Sequence, residues 1–320
     1  MTRIGYFTSS EEFTPREQVD QALMARDAGF QGLWISDHFH PWNEAQGQSG
    51  FVWATIGAIA QAVDLPITTA VTCPTTRIHP AIIAQAAATA AHLSRGGFRL
   101  GVGTGEALNE HILGDPWPSA SVRRSMLEEA VDVMRQLWTG KQVTHHGKHY
   151  TVDTARLYTL PDKAPEILVS GFGPASVKLA GKIGDGYIGM QPQADLVRTF
   201  HENGGQGKTT AAGYKICWGA DRDKAVETAF ARWPNELLPG ELAQVLPQPR
   251  HFEQASELVD RDMVADAIVC GDDVDAHLKQ LKAFIDAGYD EIYVNQIGPD
   301  QRGFFDFYAA EILPQIPELG

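Results

Sequence analysis

Asp37, His38, His40 and Trp42 fall within a single short stretch, SDHFHPW, directly after the apolar run GLWI. An imidazole changes charge near neutral pH, and a nearby carboxylate can fix its tautomer, so His38 beside Asp37 suits a general base. Neighbouring side chains on extended backbone point opposite ways, which leaves a direct contact between the two open. Trp42 fits either the wall of a reaction pocket or a cover for the core. His38 and His40 could both ligate a metal, but no third ligand such as a helical His-Glu-x-x-His accompanies them. The further histidines of HHGKH at 145–149 sit in a polar, turn-like segment. The expectation is therefore His38 as base, His40 as a structural residue and no metal.

Other polar groups sit where apolar runs end. Thr72 and Cys73 close LPITTAVT, and Glu106 and Asn109 follow GFRLGVGTG. Little side-chain bulk precedes Glu106, so a ligand could approach the backbone there, and a partly desolvated carboxyl could act as acid or balance charge. Gly171-Phe172-Gly173-Pro174 opens a helix and suits a phosphate: glycines allow a tight turn, proline fits the first helical position, and free N–H groups point outward. Met190, Gln191 and Gln193 follow GDGYIG.

These groups meet only if the fold gathers strand ends. REQVDQALMARDAGFQGLWI (16–35) reads as an amphipathic helix, a glycine turn and a strand. DAHLKQLKAFIDAGYDEIYV (275–294) repeats the pattern, and VKLAGKIGDGYIG (177–189) is a weaker copy. Further strands are expected at RIGYFT, 65–72, 97–105, 165–173 and 213–219, with helices over 80–93, 121–138, 174–182 and 222–232. About eight strands alternating with helices favour a (β/α)8 TIM barrel, whose chemistry lies at the C-terminal rim. No Gly-x-Gly-x-x-Gly follows the first strand, which argues against an open dinucleotide-binding sheet. The chain reads as one domain, 1–320, with insertions at about 140–164 and 233–262, the latter suited to cover the rim.

A formal charge of −14 argues against nucleic acid as a partner. Cys73, Cys217 and Cys270 are widely spaced and form no redox or zinc motif, which suits a reducing compartment. MTRIGYF shows no leader pattern, and no apolar run is long enough for a membrane span, so a soluble cytoplasmic protein is expected.

The stretches SDHFHPW, TAVTCPTTRIHPAIIAQA, GVGTGEALNE, MRQLWTG and AGKIGDGYI, spread over most of the chain, resemble the luciferase-like flavin and deazaflavin superfamily. More closely, they are similar to the deazaflavin-dependent glucose-6-phosphate dehydrogenases of actinobacteria. The resemblance implies a homodimeric (β/α)8 barrel using coenzyme F420, an 8-hydroxy-5-deazaflavin. It implies that His38 takes the proton of a substrate hydroxyl while the adjacent carbon gives hydride to C5 of the coenzyme. Trp42 would stabilise the reacting pair, and Glu106 would stand by the coenzyme ring and handle charge or a proton. Asp37, Cys73, Asn109 and Met190 would line the coenzyme pocket, Ala70-Val71 would carry a cis bond against the ring, and Gly173 and Pro174 would hold the coenzyme phosphate. Around the substrate the chain departs from the family. Gln193 and Asp266 stand where the family has cations for a sugar phosphate, and Arg250 is merely near the place of a third. An acid at Asp266 would repel a phosphate. The expected substrate is thus a sugar, sugar phosphate or other alcohol. The alternatives are reduction in the opposite direction, an FMN-dependent monooxygenase, or a barrel that only binds a ligand.

Overall fold

The computed structural model describes residues 2–319. Among the described residues eleven strands occur in chain order: β1 (Arg3–Thr8), β2 (Leu33–Ile35), β3 (Ile67–Thr69), β4 (Phe98–Val102), β5 (Val143–His146), β6 (Thr151–Ala155), β7 (Glu166–Ser170), β8 (Gly186–Gly189), β9 (Thr209–Cys217), β10 (Val269–Cys270) and β11 (Glu291–Gln296). The sequence β1-β2-β3-β4-β7-β8-β9-β11 is parallel throughout, and β11 pairs with β1 to close the barrel. Helices intervene between these strands, so the TIM-barrel expectation holds. β10 pairs only with the last two residues of β9. β5 and β6 form a separate antiparallel hairpin.

Local sequence explains the regular units. In the first helix, Pro15–Ala28, Thr14 and Glu17 make a reciprocal capping box, proline occupies the first turn, and Gly29 (φ 95°) ends it in the left-handed region. β1 alternates. Ile4 and Tyr6 pack outward against the helices, while Phe7 joins Trp34, Leu168, Ile188, Ala211 and Tyr293 in a second cluster. Trp34 stacks on Tyr293 with centroids 4.3 Å apart. Two glycines make room for these rings: a Cβ at Gly5 would lie 2.2 Å from Tyr293, and one at Gly213 would lie 2.6 Å from Trp34. Arg99 reaches the carboxylate of Glu291 and donates to the Tyr293 hydroxyl at 3.0 Å.

Four strands differ from the sequence expectation. β4 and β7 each end three residues before the expected runs 97–105 and 165–173 close. β3 ends at Thr69, ahead of a cis Ala70–Val71 peptide, and only Thr72 bridges again, to Val102. β9 begins at Thr209, four residues before the expected start, because TTAA carries too little apolar bulk to show as a strand. Residues 234–267 form short helices, among them Pro249–Ser256 and Arg261–Ala267.

Behind β10, the fully buried His277 of helix Val274–Asp286 joins two elements. Its Nε2 lies 3.0 Å from the Gly271 carbonyl, and its Nδ1 lies 3.0 Å from the Tyr308 hydroxyl. A neutral ring satisfies both, with Nε2–H donating and Nδ1 accepting. Burial holds this imidazole below its ordinary range. Between the lowered value and the ordinary one, the unfolded chain binds more protons, so stability falls as pH drops through that window. Acidifying from about pH 7 to about pH 5 is expected to lower Tm, with His277→Gln flattening the dependence at a cost of about 1–3 kcal/mol. Thermal unfolding across pH checks this, and an unchanged slope in the variant would refute it.

Candidate active site

The barrel strands end around a cavity of about 400 Å³. Glu11 enters from the turn after β1, His38 and Trp42 from the loop after β2, Val71 and Cys73 from the segment after β3, and Glu106 and Asn109 from the turn after β4. Gly171 follows β7, Ser176 lies in the first turn of the helix Pro174–Ile183, and Met190 and Gln193 follow β8.

Asn109 fixes the loop that carries the imidazole. Its Oδ1 accepts from the backbone N–H groups of Phe39 (2.9 Å) and His40 (3.2 Å). Those two donors decide which way the amide points. Its Nδ2 is then directed at Glu106 Oε2 (3.1 Å) and His38 Nδ1 (3.2 Å). His38 Nδ1 also lies 3.1 Å from the His40 carbonyl. The ring thus has a partner at Nδ1 in both states: Nδ1 accepts from Asn109 when unprotonated and donates to His40 when protonated. Nε2 faces Glu11 Oε1 at 3.2 Å and Glu106 Oε2 at 3.6 Å. The Trp42 ring stands 5.0 Å from the imidazole, centroid to centroid.

The two carboxyls near Nε2 are driven in opposite directions. Burial raises Glu11, but His38 and the hydroxyls of Ser36 and Ser9 outweigh it and hold Glu11 below its ordinary value. Ser9 and Ser36 donate to Oε2 at 2.7 and 2.6 Å. Glu106 is raised, chiefly by burial, because His38 and Asn109 compensate only in part. Its residual 28 % exposure opens onto the cavity. One carboxyl held low and one held high therefore flank a single imidazole, the kind of divergence that separates acid from base roles.

Asp37 does not supply the carboxylate next to His38; Glu11 does. Asp37 instead accepts from Thr72 Oγ1 (2.7 Å) and pairs with Arg77 (2.8 Å). Glu110 accepts from the backbone N–H groups of Thr76 and Arg77 and lies 3.6 Å from the Arg77 guanidinium. His40 turns away, its Nδ1 2.9 Å from the Leu108 carbonyl and its ring stacked on His111. Burial raises the Cys73 thiol far above its usual value, with Glu110 and Glu106 adding to it, so it stays protonated at the cavity wall.

Most of the residues expected from the sequence meet here: Asp37, His38, Trp42, Ala70, Val71, Cys73, Glu106, Asn109, Met190 and Gln193 all border the cavity. Gly173 and Pro174 stand just behind Gly171 and Phe172, which border it. Arg250 and Asp266 do not reach it. Both are exposed, on helices whose buried faces carry Phe252 and Val264 instead. Two important residues were not anticipated. Glu11 lies in SSEEF, where paired acids look like a solvated turn. Lys215, inside apolar β9, reaches the cavity and pairs with Glu236 at 2.8 Å. A lone lysine within an apolar strand was the available signal.

The model of the luciferase-like monooxygenase family matches residues 1–291, and the chain belongs to that family. Among curated relatives, the F420-dependent glucose-6-phosphate dehydrogenase of Beutenbergia cavernae is 31% identical, covering 99% of this chain and 98% of its own. That of Intrasporangium calvum is 34% identical over the whole of both. Among solved structures, an F420-dependent secondary alcohol dehydrogenase in complex with an F420–acetone adduct is 34% identical, with a TM-score of 0.92 over 98% of this chain and 99% of that one. The resemblance read from SDHFHPW and GVGTGEALNE is upheld at full length.

Arg77 is the cation on which both Asp37 and Glu110 depend, and all three side chains are buried. Arg77→Met is expected to lose about 3–5 kcal/mol, because it leaves buried carboxylates unpaired. Urea unfolding reads the loss, and a change below about 1 kcal/mol would remove this network from the account of the loop.

Proposed function

We propose that the protein oxidises the CH–OH carbon of an alcohol with coenzyme F420, using His38 as general base. The supporting observation is the setting of His38: Nδ1 has a partner in either protonation state, and Nε2 is aimed into the cavity between Glu11 and Glu106.

The residues fit such a coenzyme. The cis Ala70–Val71 segment and Gly103 form one wall, where a Cβ on Gly103 would come within 2.8 Å of Val71. At the far side, helix Pro174–Ile183 starts at Gly173 without a side-chain cap, and a Cβ on Gly173 would meet nothing within 4 Å. That open helix start suits a phosphate. Asn109 and Met190 also border the cavity. When bound, F420 supplies a hydride acceptor at C5.

The chain's own residues manage position and protons. His38 Nε2 takes the hydroxyl proton, and the ionised Glu11 stabilises the resulting imidazolium. Asn109 and the His40 carbonyl keep the ring in plane. Trp42 walls the substrate side. Glu106, whose carboxyl keeps its proton to higher pH than usual, would serve as the acid of the cavity beside the bound coenzyme. In reverse, the same groups serve carbonyl reduction.

His38→Ala is expected to lower kcat by about 10²–10⁴ while F420 still binds. Anaerobic absorbance of F420 with a panel of alcohols measures turnover, and fluorescence titration measures binding. Undiminished turnover would sink the base role, and oxygen-dependent turnover with FMN would favour the monooxygenase alternative. Glu106→Gln addresses pH. A raised carboxyl loses its proton later than usual as pH climbs, so alcohol oxidation should fall through that raised value. The glutamine variant should lack that limb in its kcat profile, and a retained limb would assign it elsewhere.

A further inference from the structure

The charges around the cavity suggest what the substrate is not. Lys215 is the only lysine or arginine among the described residues that border it. Five carboxyls border it as well: Glu11, Asp37, Glu106, Glu110 and Glu236. Four of these are held by the imidazole, hydroxyl, amide and arginine partners described above. The remaining one, Glu236, comes from the single turn Pro234–Leu237 over the rim and holds Lys215 Nζ at 2.8 Å. The same Nζ stands 4.3 Å over the Trp233 ring. The lysine is 9% exposed. Its charge is thus met on one side by a carboxylate and on another by an aromatic face.

We infer that the substrate is an uncharged alcohol, and that Glu236 sets this preference by neutralising Lys215. This rests on the hydride-transfer reading above. A phosphorylated substrate would need Lys215 to leave Glu236, which would place a freed carboxylate beside a phosphate dianion. Gln193 at the rim adds no charge. An uncharged alcohol needs no such exchange and leaves the pair intact. Discrimination here comes from a built-in repulsion as much as from any attraction.

The test compares the wild type, Glu236→Gln and the double variant Glu236→Gln/Lys215→Met. The F420-loaded proteins are assayed with 2-propanol, glucose and glucose 6-phosphate. The wild type should favour the uncharged alcohols, and Glu236→Gln should raise the kcat/KM ratio of glucose 6-phosphate to glucose at least tenfold. The double variant should lose that gain. A wild type that prefers glucose 6-phosphate, or a ratio unmoved in Glu236→Gln, overturns the inference while leaving hydride transfer standing. If no alcohol reduces F420, the hydride reading fails instead, and binding decides the charge question. Tryptophan fluorescence of the coenzyme-free proteins then follows glucose 6-phosphate. Tenfold tighter binding by Glu236→Gln, lost in the double variant, supports the role of Glu236, and equal affinities overturn it.

Discussion

Asn109 is the side chain through which the site is organised. One end of its amide satisfies two backbone N–H groups of the loop after β2, and those contacts orient the other end toward His38 and Glu106. It sits on a single turn, Ala107–Glu110, directly after the glycines that close β4. The next residue, Glu110, grips the Thr76–Arg77 backbone. That one turn therefore ties together the loops of three consecutive strands. The barrel supplies approximate nearness; this turn sets distances.

The polarity of the site follows from who is paired with whom. Burial alone would raise every carboxyl at the rim. Glu11 escapes this because an imidazole and two hydroxyls address it, while Glu106 has fewer compensating partners and stays raised. Two residues of one type thus have their carboxyls driven in opposite directions beside one nitrogen. The third acid, Asp37, is committed to Arg77 and serves to hold its loop.

The fold was largely legible because a barrel writes its strands as apolar runs followed by stretches of helical period. Eight such runs were visible, and the cavity residues came from their ends. Contacts across the rim were less legible. Asp37 adjoins His38 in sequence, yet extended backbone sends the two side chains apart, and Glu11 from another strand takes the place beside the imidazole. Lys215 was passed over because strand residues in a barrel alternate between the outer core and the interior, and its side is set by register. Arg250 and Asp266 were drawn in by similarity to a family around a segment of short helices, where packing of Phe252 and Val264 turns them outward.

The loop that carries His38 also fastens the cover of the cavity. Asn43 and Gln46 donate to the Arg232 carbonyl, Asn43 also reaches Asn235, and Trp42 packs edge-on against Phe252. Glu236, in the same short turn as Asn235, sits over Lys215 on the barrel wall. Widening the mouth by lifting residues 233–236 would therefore pull directly on the loop that positions His38. Any molecule that pressed on that turn would thus be felt at the imidazole through Asn43 and Gln46.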